Sequence, residues 1–154
     1  MDTTPIDSGY PAYREVDVAL RTGASIRLRP IRAEDEPAVR ALLEGLSTDS
    51  RVFRFFSAGT DLGAAARTAS HVDYVESYGV VAIAPDARTI LGHGMYVRAE
   101  GDCAEVAFTI ADELRGEGVA TTMLAHLATA ARSVGIERFV AHVLPHNHRM
   151  LGVF

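Results

Sequence analysis

"AEVAFTIADELRGEGVATTMLAHLATAARSVG", residues 104–135, runs from a segment with the two-residue period of a strand, through a turn holding two glycines, into a segment with helical period. Glu105 lies inside the strand. It alternates with Cys103, Ala107 and Thr109 on one face, opposite Val106, Phe108 and Ile110, and its small same-face neighbours leave room beside the carboxylate. A helix is predicted over 117–134, with Val119, Met123, Leu127, Ala131 and Val134 as its buried stripe and Gly135 as its stop. "RFVAHVL", residues 138–144, reads as the next strand. Strand, crossover helix and strand predict a parallel pair with a right-handed connection.

Outward from this unit, "GVVAIAPDARTILGHGMYVRAEGDCAEVAFTI", residues 79–110, contains three strand-like runs, separated at Pro85-Asp86-Ala87 and at residues 99–102. They form an antiparallel meander. "VDVALRTGASIRLRPI", residues 16–31, reads as a hairpin around Thr22-Gly23. "AEDEPAVRALLEGL", residues 33–46, has acids and Pro37 in a first helical turn, then Val39, Leu42, Leu43 and Leu46 at helical spacing. "STDSRVFRFF", residues 47–56, predicts a shorter helix, and residues 60–76 are mostly helical in pattern. The expected class is α/β of the α+β kind: a mixed, mostly antiparallel sheet flanked by helices, forming one domain over residues 16–154 behind a mobile tail of residues 1–15.

Composition narrows the chemistry. The chain has 154 residues, 48% of them apolar, enough for one domain with a core. It has neither an apolar run of membrane-spanning length nor a signal-like N-terminus, so a cytoplasmic location is expected. A single cysteine, Cys103, excludes an internal disulfide. The net charge of -5 argues against nucleic acid, so the aromatics and arginines of "SRVFRFF" read as packing on an amphipathic helix bordering a groove. His142, His146 and His148 make no metal site, because Pro145 breaks their spacing and no cysteine or carboxylate lies nearby.

The glycine turn lacks the lysine and spacing of a nucleotide-triphosphate loop. A dinucleotide fingerprint fails too: Thr121 stands at the third glycine position, and the next strand ends in Leu144-Pro145 without a ribose-binding acid. What remains is a helix N-terminus that Gly116 and Gly118 leave unobstructed, able to bind a pyrophosphate through main-chain N–H groups and the helix dipole. A strand-to-helix turn without a ligand stays open on these residues alone.

Arg115-x-x-Gly118-x-Ala120 matches the Gln/Arg-x-x-Gly-x-Gly/Ala signature of the GNAT superfamily of acyl-CoA-dependent N-acetyltransferases. "LRPIRAEDEPAVRALLEGLS", "LSTDSRVFRFF", "HVDYVESYGVVAI", "AEVAFTIADELRGEGVATTML" and "FVAHVLPHNHRML" follow in an order that resembles bacterial Pat-type protein-lysine acetyltransferase domains, over roughly residues 16–154. The resemblance implies acetyl-CoA as donor. The main chain of Phe108, Thr109 and Ile110 would pair with the pantetheine arm. Arg115 would open the signature, and Gly116, Glu117, Gly118, Val119, Ala120 and Thr121 would cradle the pyrophosphate. Asn147 would reach the pantetheine arm, a role compatible with capping a helix.

Within "AEVAF", Glu105 matches the family's catalytic glutamate. A free lysine, with pKa about 10.4, must lose a proton before attacking a thioester. A carboxylate partly desolvated in a cleft becomes a better base for that task. Attack is expected to be direct, with a main-chain N–H of the same strand stabilising the oxyanion. Cys103 has no adjacent histidine to activate it, and residues 147–154 hold no tyrosine, so the general acid is unassigned. The implied acceptor is a lysine on a metabolic enzyme such as an acyl-CoA synthetase. A small-amine acetyltransferase and a non-catalytic CoA-binding regulatory module are the alternatives. The chain stops at "RMLGVF", inside the helix that in the family precedes two further strands, so those strands and a synthetase-like C-terminal domain are expected to be missing.

Overall fold

The structure is a computed structural model that describes residues 9–55 and 59–142, without the side chains of residues 52 and 53. Its elements follow in the order β1 (Val16–Ala19), β2 (Ser25–Pro30), α1 (Glu36–Glu44), α2 (Thr48–Phe55), α3 (Leu62–Ser70), β3 (Ser77–Ile83), β4 (Ile90–Arg98), β5 (Cys103–Ile110), α4 (Val119–Ser133) and β6 (Arg138–Ala141). The six strands form one sheet in sequence order. All neighbours are antiparallel except β5 and β6, which run parallel from Cys103↔Arg138 to Val106↔Ala141. The hairpin, the meander and the strand–helix–strand unit are therefore all present.

Strand alternation divides the core in two. Leu28, Val80, Tyr96, Val106 and Phe108 face α4, which answers with Val119, Met123, Leu127, Ala130 and Ala131. Ile31, Val81, Ile83, Ile90 and Met95 face α1 and α3, which supply Val39, Leu42, Leu43, Ala66 and Ala69. Close approach fixes where the α4 side can be filled. A Cβ on Gly94 would lie 2.9 Å from the Phe108 ring, so even alanine there must displace it.

Boundaries move where side chains or glycines intervene. The helix expected from residue 117 begins at Val119, because Gly118 adopts φ +82° as its N-cap. Val134 is half-buried rather than part of the stripe, and Ala130 joins it. β3 starts two residues early, at Ser77, where Asp73 Oδ1 accepts from the amides of Val75, Glu76 and Ser77 at 2.9, 2.7 and 3.0 Å. Residues 9–15, expected as part of a mobile tail, pack on the domain: Pro11 is buried, Tyr10 meets Tyr74 edge-on at 5.9 Å, and the Arg32 guanidinium lies 4.4 Å over the Tyr10 ring. Residues 1–8 lie outside the described residues.

That contact begins a series of rings. Tyr74 meets Tyr78 at 6.2 Å, Tyr78 stacks on Tyr96 at 5.6 Å, and Tyr96 meets Phe139 of β6 at 5.8 Å. The Tyr78 hydroxyl lies 2.8 Å from His126 Nε2 of α4. Burial, with a smaller contribution from the Arg14 charge, pulls the His126 pKa down to about 4. His93 is fully buried, and desolvation followed by the Arg54 charge pulls it to about 3.

Both histidines are neutral in the fold but take up protons in the unfolded chain near pH 6.5. The unfolded state therefore binds more protons below that value, and stability rises with pH from about 4 to 6.5. Unfolding free energies measured across this range should show the rise, with a smaller slope in His126→Phe; a flat profile in the parent protein would contradict the buried-neutral assignment.

Candidate active site

Residue Glu105 sits on β5, across from Val97 of β4 and Val140 of β6. Strand alternation puts its side chain on the sheet face covered by α1, α2 and α3, with Ala107 and Thr109 following on that face. The carboxylate is 61% exposed and flanked by two open valines, each 42% exposed. Half-buried Cys103 and Ala107 leave the expected space on either side. The expected partial desolvation is not supplied by the protein alone; a bound donor and acceptor would have to provide it. His142, just beyond β6, places Nε2 3.6 Å from Glu105 Oε1, an ion pair whenever the imidazole is protonated.

Five residues beyond Glu105, β5 ends and the chain enters the turn. Gly116 and Gly118 have φ +83° and +82°, conformations that side-chain-bearing residues avoid. Gly118 caps α4 without a side-chain hydrogen bond, and its carbonyl accepts from Thr122 N at 3.1 Å. The amides of Val119, Ala120 and Thr121 thus belong to the first turn, where an α-helix leaves donors without intrahelical acceptors. Val119 is buried in the core, whereas Gly116 and Thr121 are exposed. The Glu117 side chain is half-buried with one oxygen without a partner, and its main-chain N–H already donates to Leu114 O at 3.4 Å.

Arg115 is oriented differently from a simple phosphate ligand. Its guanidinium pairs with Asp112 at 2.8 Å and donates to the Ser50 hydroxyl. Asp112 also accepts from Ser50 Oγ at 2.9 Å and from Ser47 N at 3.2 Å. The signature arginine therefore ties the glycine turn to the start of α2. From the β1–β2 turn, the Arg21 Nε lies 3.7 Å from the position a Cβ on Gly118 would occupy, which sets a cation beside the helix N-terminus.

Phe108 packs under α4 and Thr109 lies buried on the opposite face, across from His93. Ile110 is half-buried against the α4 side. The Phe108 and Ile110 side chains are committed to the α4-side core, so these two can serve a ligand only through their main chain, whereas Thr109 keeps a buried Oγ1 without a hydrogen-bond partner. Asn147, like His146 and His148, lies outside the described residues. Sequence reading missed Arg21, whose place depends on which strand ends share an edge. It also set His142 aside, although two-residue spacing from Val140 was the available signal.

Comparison with known proteins agrees with this architecture. A family model described as "Acetyltransferase (GNAT) domain" matches residues 25–154. The acetyltransferase Pat of Mycolicibacterium smegmatis is 30% identical over 140 residues, 88% of this chain but only 41% of that protein. The crystal structure of the GNAT domain of S. lividans PAT superposes with a TM-score of 0.86 at 36% identity, covering 94% of this chain and 87% of that one. A cAMP-binding acyltransferase from Mycobacterium smegmatis superposes with a TM-score of 0.64 at 25% identity over 92% of this chain and 44% of its own. A strand bearing an open carboxylate, ending in a two-glycine turn that starts a helix, is here embedded in a sheet and sequence shared with these acetyltransferases, and the chain belongs to the GNAT acetyltransferase family.

Proposed function

We propose that the domain transfers an acetyl group from acetyl-CoA to the ε-amine of a lysine on a folded protein, with Glu105 as general base. The observation that carries this reading is the placement of both ends of the chemistry on one strand. Glu105 stands toward one end of β5, about 17 Å of extended strand from its other end at Ile110, and the Gly116–Gly118 turn follows that end. A pantetheine arm, two amides joined by methylenes, has the length and hydrogen-bonding pattern of such a segment. Its pyrophosphate would meet the first amides of α4, favoured by the helix dipole and by Arg21.

At the other end the acceptor lysine would lay its methylenes between Val97 and Val140, bringing its amine to the carboxylate between them. Glu105 takes the amine proton as nitrogen attacks the thioester carbonyl. A main-chain N–H of β5 stabilises the oxyanion, and the departing thiolate takes its proton from water. Acceptor and donor together close over Glu105, removing the water that surrounds it in the free protein.

Gly118→Val should weaken acetyl-CoA binding by at least about tenfold, through strain at a positive φ and obstruction of the cradle, while thermal unfolding stays cooperative. Unchanged affinity by titration calorimetry moves the phosphate site elsewhere. Glu105→Gln should retain donor affinity and lower kcat by roughly two to four orders of magnitude, with partial recovery at high pH as lysine deprotonates unaided. A parental rate in this variant rejects the base.

For the acceptor, the reading favours the reactive lysine of an AMP-forming acyl-CoA synthetase. Its support is the similarity to Pat acetyltransferases, together with a net charge of -5 suited to a basic rim around the target lysine. Incubation of such synthetases with the protein and acetyl-CoA should place an acetyl mass on one lysine, at a rate that falls with added salt under subsaturating acceptor. Acetylation of small amines alone would reject the protein acceptor and keep the acetyltransferase.

A further inference from the structure

Beneath α2 lies a set of polar groups that acetyl transfer leaves unused. Arg54 points onto the sheet, where Nη2 donates to Met95 Sδ at 3.8 Å and the guanidinium lies 4.7 Å from the Phe55 ring centre. Its Nε is shielded from solvent with no hydrogen-bond partner, and no carboxylate pairs with it among the described residues. Desolvation pulls its pKa down to about 10, so it remains a cation at neutral pH. His93, two residues before Met95 on the same strand face, is buried with Nε2 unpartnered, and Thr109 opposite it is buried with Oγ1 unpartnered. A shielded guanidinium beside a thioether and a ring, without a counter-charge, costs more than an apolar side chain of equal volume. Such a group fits an anion brought by a ligand.

Position decides which ligand. Met95 pairs with Ala107, the next residue after Glu105 on the same face of β5. Arg54 therefore contacts a side chain whose strand position lies one same-face step, about 7 Å, from the level of the general base. Between them Ala107 is small and half-buried. A lysine acceptor ends at its amine and leaves outward past Val97 and Val140, so nothing of it extends inward. The acyl group of the donor is the part of the reacting pair that ends inside.

Resting on the reading above of Glu105 and the CoA site, we infer that Arg54 forms a subsite for the terminal carboxylate of a dicarboxylic acyl donor of the succinyl-CoA type. His93 and the Thr109 hydroxyl offer further polar contacts, and Glu105 repels the carboxylate from the opposite end, which fixes the orientation. The transfer balances without another reactant. The amine nitrogen bonds to the thioester carbon, the C–S bond breaks, the amine proton passes to Glu105, and CoA leaves as a thiolate that water protonates. The remote carboxylate stays unchanged in the amide product.

Titration calorimetry with CoA, acetyl-CoA, succinyl-CoA and 4-methylpentanoyl-CoA, whose branched end copies the shape of the carboxylate without its charge, separates the claims. The parent protein should bind succinyl-CoA at least about tenfold more tightly than the uncharged analogue. Arg54→Met, similar in volume, should abolish that preference while changing acetyl-CoA affinity by less than about twofold. Arg54→Lys, which keeps the charge, should retain part of it and guards against misfolding of the methionine variant. Equal affinity for succinyl-CoA and its analogue, or an unchanged preference in Arg54→Met, overturns the subsite and leaves the acetyl-CoA reading intact. Failure to bind any CoA species overturns both.

Discussion

The sheet turns on β5, which meets an antiparallel neighbour along one edge and a parallel one along the other. An antiparallel partner can be reached through a short turn, as β4 reaches β5 through residues 99–102. A parallel partner requires the chain to travel back to the starting end, and α4 makes that journey. The helix N-terminus consequently follows the end of the strand that carries the exposed Glu105. A site that must hold a long anionic cofactor at one end and do chemistry at the other is a natural occupant of that geometry.

The two ends are mechanically joined. Arg115 from the turn, Asp112 beside it, and Ser47 and Ser50 at the start of α2 form one connected set of charge-assisted hydrogen bonds. The same helix carries Arg54 onto the sheet near Ala107. A shift of the turn would therefore be felt by α2, the helix that carries Arg54. The α4 face offers less freedom, because Phe108 fills the space over Gly94 and Leu127 closes behind it.

Most of the fold was legible because it is written in periods. Alternation located the meander, apolar spacing located α1 and α4, and Thr22-Gly23 located the hairpin. What escaped depends on contacts between distant segments or on individual side chains. The start of β3 is set by Asp73 capturing three amides, and the packing of residues 9–15 by Tyr10 finding Tyr74. The position of Glu105 followed from alternation alone, but its solvation did not, since that depends on Val97 and Val140 of neighbouring strands being open themselves. The short helix expected here is present over Thr48–Phe55, yet helical spacing does not reveal that Arg54 turns toward the sheet with no carboxylate paired to it among the described residues.

The ring series has an optical consequence. The chain has no tryptophan and five tyrosines, four of which, Tyr10, Tyr74, Tyr78 and Tyr96, stand in successive contact from the N-terminal segment to the centre of the sheet. The near-ultraviolet dichroism of the protein is therefore dominated by one coupled group of chromophores, whose signal depends on fixed packing rather than on helix content. Lifting residues 9–15 from the domain or shifting Phe139 against Tyr96 perturbs opposite ends of the same array. The native polypeptide thus carries its own spectroscopic gauge of how these segments are seated, without an introduced label.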